Sequence, residues 1–113
     1  MPRDFRLQID DILAAISSIR EYVHHLSYEE LSADRKTQDA VVRNLEIIGE
    51  AARTLPEDLK SRSETVDWRK IVGLRNVLIH EYFGISLPII WDIVTNKLDG
   101  LEAECNSIME NLD

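Results

Sequence analysis

The chain has 113 residues, of which 44% are hydrophobic and 30% are charged. This length suits one domain with a buried core, and the apolar content excludes an intrinsically disordered chain. Only four Gly and three Pro occur among many helix-forming residues, which favours helix throughout. We therefore predict a single domain over residues 1–113, without internal repeats or low-complexity segments.

Two features of the sequence bear on where the protein acts. No apolar stretch approaches the roughly 20 residues that a membrane span requires, and the first residues do not resemble a signal peptide. The single cysteine, Cys105, excludes an intramolecular disulfide and suits a reducing compartment. Because Cys105 shares an apolar stripe with Leu98 and Leu101, a buried inert thiol is favoured over a nucleophile. We expect a cytoplasmic protein that does not associate with membranes.

The formal net charge of -8 argues against a nucleic-acid-binding protein, because such binding depends on Lys and Arg at phosphates. The distribution of charge weakens this objection. Nine of the 13 basic residues lie between Arg35 and Arg75, whereas beyond Asn76 only Lys97 is basic, against seven acidic residues. A basic middle and an acidic last helix would permit nucleic-acid binding without indicating it.

The hydrophobic pattern begins with two long amphipathic helices. The first is predicted from about Asp4 to His25, and Ser27-Tyr28-Glu29-Glu30 has the form of a capping box that starts a short helical turn. The pattern restarts around Asp34 and continues to Leu55, where Pro56 stops it. Residues 56–66 are polar and are predicted to be a connection, with room for one helical turn.

Two further helices follow this connection. Asp67 is a plausible N-cap for the third, which Gly84 should end. Ser86 can cap the last helix, with Pro88 tolerated in the first turn and apolar positions continuing to the terminus. The sequence therefore predicts an all-α, up-and-down four-helix bundle with an additional short helical turn near Ser27.

The third helix contains the most informative residues. On an α-helix Arg75 and Tyr82 share one stripe, and Asn76 and His80, four residues apart, share the neighbouring stripe. Arg matches a phosphate that gains charge in a transition state, and His can take and give a proton near neutral pH. RNA supplies its own nucleophile, the 2′-hydroxyl, so Arg and His suffice for cleavage without a metal ion or other cofactor. Two chains meeting at this patch would supply two histidines.

A structural role for the same residues is the alternative. A cation near the carboxyl end of a helix is stabilised by the helix dipole, which would account for Arg75 and His80. Asn76 and Tyr82 could then satisfy neighbouring backbone groups. The local spacing alone does not decide between the two interpretations.

The wider sequence does favour one of them, because the chain resembles the HepT-like toxins of the HEPN superfamily. The shared motif is an Arg, a polar residue, a short spacer, then His and Tyr, present as Arg75-Asn76-x-x-x-His80-x-Tyr82. The resemblance extends, in the same order, to segments before and after this motif. These are residues 34–41, residues 45–51, residues 68–74 and Trp91 in the last helix.

This resemblance implies a homodimer in which two motifs face one cleft and act as a metal-independent endoribonuclease of a type VII toxin–antitoxin system. It also implies a partner, a minimal nucleotidyltransferase antitoxin that adenylylates the motif tyrosine, here Tyr82. Arg75 would hold the scissile phosphate, His80 would move protons and Asn76 would position the substrate. Glu46 and Glu50 on the second helix could reach the cleft, although helix solubility explains them as well.

Two other groups of residues favour structural roles. His24 and His25 are adjacent, so on a helix they point about 100° apart and cannot grip a metal together; we expect a surface helix end. Trp68 and Trp91 each lie in an apolar stripe, which favours core packing over stacking on bases.

Two rival functions remain open at this level. The domain could be a non-catalytic module that binds a nucleotide or a protein, which the acidic charge slightly favours. It could also be an accessory subunit that positions the substrate of a separate nucleotidyltransferase. A toxin should arrest growth when expressed alone and lose this effect when Arg75 or His80 is replaced, whereas a binding module should do neither.

Overall fold

A computed structural model of the chain describes residues 5–80 and 87–111, with side chains described at 5–74 and 87–111. Within these residues all regular structure is helical, which confirms the all-α prediction. The elements in chain order are α1 (Arg6–Val23), α2 (Tyr28–Ser32), α3 (Arg35–Arg53), α4 (Glu57–Ser61), α5 (Trp68–His80), α6 (Leu87–Asp92), a π-helical turn (Ile93–Lys97) and α7 (Leu98–Glu110).

Three helices begin at side-chain caps. Ser27 forms a complete capping box at α2: its Oγ accepts from the Glu30 backbone N–H at 3.1 Å, and Glu30 Oε1 accepts from the Ser27 N–H at 3.0 Å. Asp34 caps α3 by accepting from the Thr37 N–H at 3.0 Å. Hydrogen bonds from Thr37 lower the pKa of the Asp34 carboxyl below its ordinary value. Asp67 caps α5 through the Lys70 N–H at 3.4 Å. The predicted caps at Ser27 and Asp67 are confirmed.

Helix ends agree with the sequence where the structure describes them. The helix α3 ends at Arg53, with Thr54 as its C-cap, two residues before Pro56. The polar connection contains one short helix, α4, as its composition allows. The predicted stop at Gly84 and cap at Ser86 lie outside the described residues.

The last helix differs from the prediction, because a π-helical turn over Ile93–Lys97 interrupts it. Ile90, Val94 and Leu98 are all buried, and each follows the previous one by four residues. On a regular α-helix eight residues drift by roughly 80° around the axis. The wider i→i+5 turn takes up this drift and keeps the three side chains against the core.

The helix α3 lies at the centre of the packing. It contacts α1 on one side and α5 on the other, and α1 also contacts α7. Arg20 near the end of α1 forms ion pairs with Asp99 and with Glu102 (2.8 Å) at the start of α7. Phe5 and Ile108, from the opposite ends of the same two helices, line one groove, so α1 and α7 run antiparallel.

One hydrophobic cluster joins the long helices. Its fully buried members include Ile12 and Ile16 of α1, Leu45 and Ile48 of α3, and Cys105 of α7. Trp68 brings the first turn of α5 into the same cluster at 4% exposure. Over the ranges that the structure describes, no helix is both long enough and apolar enough to cross a membrane.

Replacing Leu45 by Ala should lower the free energy of unfolding by about 2–5 kcal/mol, because the side chain is completely buried in the hydrophobic cluster and its loss leaves a cavity there. Leu7→Ala removes the same atoms from a side chain that is 69% exposed, and should change the stability far less. Urea unfolding followed by circular dichroism measures both variants. Equal losses for the two would contradict the assignment of Leu45 to the core.

Candidate active site

The helix α5 contains three of the predicted site residues. Its backbone is continuous from Trp68 to His80, so Arg75, Asn76 and His80 belong to one helix with the spacing that the sequence predicts. Asn76 and His80 are separated by about 6 Å along the helix axis, since an α-helix rises about 1.5 Å per residue. The side chains of residues 75–80 lie outside the described part, as does Tyr82, so their roles stay predictions.

The first half of α5 is fixed by the core. Trp68 is buried, and Ile71 and Leu74 pack partly buried against the hydrophobic cluster, as their positions in the pattern predict. Arg69 and Lys70, by contrast, are exposed. The helix therefore has one apolar face on the core and one polar face towards solvent before the motif begins.

The helix α3, against which α5 packs, carries the two predicted acidic candidates. Glu46 and Glu50 are both half-buried. The Glu50 carboxylate forms an ion pair with the guanidinium of Arg53, with 2.6 Å between Oε1 and Nη2. Part of the negative charge of Glu50 is therefore already neutralised. An ion pair between side chains three apart on one helix is a structural role, and it agrees with the alternative explanation of Glu50.

A cavity that the sequence did not indicate lies between α4 and the first turns of α5. Its volume is about 520 Å³. It is lined by Glu57, Lys60, Ser61, Ser63, Val66, Asp67, Trp68, Arg69 and Val72. Nothing in the local pattern predicts it, because the connection between α4 and α5 brings its two walls together.

Two of the residues that line this cavity carry buried or nearly buried nitrogen donors. The Lys60 side chain is only 9% exposed, and its ammonium donates to the Ala52 carbonyl at 3.0 Å. It also lies 3.6 Å from a Glu57 carboxylate oxygen. The Trp68 indole Nε1 is buried without a hydrogen-bond partner. A buried donor without an acceptor is uncommon in proteins, because the loss of its hydrogen bond to water is not compensated.

The histidine pair is on the surface, as expected, but the two rings are not directed apart. The helix α1 ends at Val23, and His25 adopts a left-handed conformation with φ of 66°. This brings the rings of His24 and His25 to a centroid separation of 3.7 Å. The prediction of divergent rings was wrong because it assumed that the helix continues through both residues. Across the described ranges, no group of three or more His, Cys, Asp or Glu side chains is arranged to hold a metal.

The two tryptophans differ from each other. Trp68 is buried in the core, which confirms its prediction. Trp91 is half-buried, with its ring edge-on to Tyr28 at 5.9 Å between centroids. It therefore packs against the turn that Ser27 caps and does not belong to the hydrophobic cluster, so core packing is not confirmed for Trp91.

The Cys105 thiol is buried, as predicted. Loss of solvation on burial, followed by the nearby charges of Glu104 and Glu102, raises its pKa to about 12. Thiolate is the nucleophilic form, so Cys105 is almost entirely unreactive thiol at neutral pH.

Comparison with known proteins agrees with the family that the sequence resembles. Residues 12–108 match the model of the ribonuclease HepT-like family. A Methanocaldococcus jannaschii protein provisionally named RNase MJ0127 is 41% identical over the whole of this chain and 94% of its own length. A Thermococcus cleftensis protein provisionally named ribonuclease HepT is 36% identical over 92% of this chain and 94% of its own. No solved structure matches significantly.

These matches cover almost the full chain, including the whole of α3 and α5. The helical fold and these matches indicate a HepT-like HEPN protein, in the class of RNA-cleaving proteins. The chain belongs to the ribonuclease HepT-like family.

The burial of Cys105 gives a test of the core around α7. In native protein at pH 8, a thiol reagent should modify Cys105 only as fast as the protein unfolds, because both access and ionisation are suppressed. In denaturant the reaction should be complete at once. The double variant Cys105→Ser, Asn106→Cys moves the thiol to an exposed neighbouring position and should react rapidly when native. Rapid modification of native Cys105 would contradict its burial.

Proposed function

We propose that the protein is a metal-independent endoribonuclease toxin whose cleavage depends on Arg75 and His80. The observation that supports this most is the unbroken α5 backbone, which keeps the motif Arg, Asn and His at helical spacing on one rigid element. Membership of the ribonuclease HepT-like family supports the reaction type.

The reaction follows from the chemistry of RNA. His80 in its neutral form takes the proton of a 2′-hydroxyl, and this oxygen attacks the adjacent phosphorus. The bond from phosphorus to the 5′-oxygen breaks, and the leaving oxygen receives a proton from a protonated imidazole. The products are a 2′,3′-cyclic phosphate and a 5′-hydroxyl. Arg75 stabilises the negative charge that accumulates on the phosphate oxygens, and Asn76 positions the substrate.

The need for both a base and an acid favours a homodimer. Each chain has a single motif histidine, His80, and one imidazole cannot take and give a proton in the same step. Two motifs that face a common cleft supply one neutral and one protonated imidazole. The partner's His80 is therefore the proposed acid when His80 of the first chain is the base.

Regulation is proposed to act at Tyr82. A nucleotidyltransferase antitoxin transfers an adenylyl group from ATP: the tyrosine oxygen attacks the α-phosphorus, pyrophosphate leaves and the phenol proton is released. The added phosphate and nucleoside lie two residues from His80 in the sequence, where they would compete with RNA for Arg75 and block access to the imidazole.

Cleavage of total cellular RNA by the purified protein, with chelator present, tests the proposal. Wild type should give discrete fragments, and Arg75→Ala or His80→Ala should reduce the rate by about 10²-fold or more, as expected for loss of a charge-stabilising or proton-transferring group. Arg43→Ala and His24→Ala remove the same residue types at exposed positions outside the motif and should retain activity.

The controls separate catalysis from folding. All variants should be folded dimers by circular dichroism and sedimentation. Full activity of His80→Ala would refute the catalytic assignment. Absence of cleavage by folded, unmodified wild type would favour the binding module, after intact mass has shown that Tyr82 carries no adenylate.

A second experiment addresses Tyr82. Incubation with the antitoxin and ATP should add the mass of an adenylyl group to wild type and abolish cleavage. Tyr82→Phe should neither gain mass nor lose activity under the same conditions, while Tyr28→Phe should behave as wild type. Modification of Tyr82→Phe to the same extent as wild type would show that the acceptor is another residue.

A further inference from the structure

The cavity between α4 and α5 lies next to the motif on the same helix. Val72 forms part of its wall and precedes Asn76 by four residues, or about 6 Å along the helix axis. Among the described residues, a Cβ atom added at Gly73, the residue after Val72, would meet nothing within 4 Å.

The lining of this cavity is balanced in charge. Lys60 and Arg69 supply two cations, and Glu57 and Asp67 supply two carboxylates, with the hydroxyls of Ser61 and Ser63 between them. A phosphate would be attracted by the first pair and repelled by the second. A nucleobase edge instead presents donors and acceptors side by side, which this mixture can satisfy.

Two of the residues that line the cavity carry buried donors suited to a polar edge. The Lys60 ammonium has three hydrogens, and its side chain is nearly buried. In the described contacts it donates to one backbone carbonyl and lies at a longer distance from the Glu57 carboxylate. The buried indole N–H of Trp68 has no acceptor among the residues that the structure describes. An acceptor on a bound base that reached Nε1 would satisfy a donor that these residues leave unpaired.

We propose that the cavity between α4 and α5 binds a nucleobase of the RNA beside the cleaved bond, held by Lys60, Trp68 and Arg69. This inference rests on the proposed ribonuclease function and adds to it a site of sequence preference. Its volume of about 520 Å³ lies within the range of about 300–1,000 Å³ that is usual for ligand pockets. Single-stranded RNA offers unstacked bases for this kind of recognition.

The two tryptophans make the site directly observable. In ¹⁵N-labelled full-length protein, the indole signals of Trp68 and Trp91 can be assigned with Trp91→Phe. Titration with AMP, CMP, GMP and UMP should shift the Trp68 signal saturably for at least one nucleotide and leave Trp91 unmoved. Ribose 5-phosphate, which has the phosphate without the base, should shift neither.

A matched pair of variants tests the contact. Arg69→Ala should weaken nucleotide binding about tenfold, the usual cost of losing one hydrogen bond to a charged group. Lys70→Ala removes an equal charge from the adjacent exposed position, which does not line the cavity, and should weaken it less than twofold. Equal effects of the two variants would overturn the proposal.

The remaining outcomes distinguish this site from the catalytic one. If no nucleotide moves the Trp68 signal while Arg75-dependent cleavage persists, the base site is refuted and the ribonuclease stands. If ribose 5-phosphate moves Trp68 as much as the nucleotides do, the cavity is an anion site and the proposal fails. A nucleotide-specific shift without RNA cleavage by folded, unmodified protein would show a nucleotide site in the cavity, but it would overturn both the ribonuclease and the placement of that site beside a cleaved bond.

Discussion

The buried stripe of α3 is the constraint on which the other helices depend. Val41, Leu45 and Ile48 are completely buried, and the same helix packs on α1 and on α5. Burial of these side chains stabilises both contacts, because the removal of apolar surface from water is the main driving force of folding. A change of register in α3 would therefore move its two neighbours together, and with α5 the motif.

The way α5 is fixed explains how the core orients the backbone of the proposed site. Trp68 anchors the first turn, and Ile71 and Leu74 hold the next turn partly buried. Once these positions face the core, the rotation of the helix about its axis is determined. The helical repeat then sets the angular positions of the motif residues further along α5.

The features that the sequence predicted are those with local physical causes. The caps at Ser27 and Asp67 involve side chains three residues from their partners, and the buried stripe of α3 follows from helical period. The π turn at Ile93–Lys97 was missed because its signal, two successive spacings of four, is compatible with an ordinary helix. The contact between His24 and His25 depends on where α1 ends and on one left-handed residue. The cavity depends on the placement of α4 against α5, which no local pattern encodes.

The same distinction applies to the candidate site. Spacing on one helix was sufficient to group Arg75, Asn76 and His80, because their relation is set within two turns. Lys60 and Arg69 have no such relation: they lie nine residues apart on two helices. Trp68 was correctly assigned to the core from its stripe, yet only the structure shows that its indole N–H lacks a partner. The two roles considered for Trp68 from the sequence, core packing and stacking on bases, leave out hydrogen bonding by its indole N–H.

The acidic charge of the protein becomes understandable when binding of the transition state is separated from binding of the substrate. Several cations are already engaged by carboxylates: Arg20 by Glu102, Arg53 by Glu50 and Arg62 by Asp58. These pairs reduce the positive charge that is available to bind RNA phosphates in the ground state. Uniform binding of substrate and transition state lowers KM without raising kcat, so little catalysis is lost through this weakness. An interaction confined to the reacting phosphate, with a base contact to position it, concentrates binding energy at the step where charge develops. Net charge therefore argues against a tight, nonspecific RNA-binding protein more strongly than against a ribonuclease.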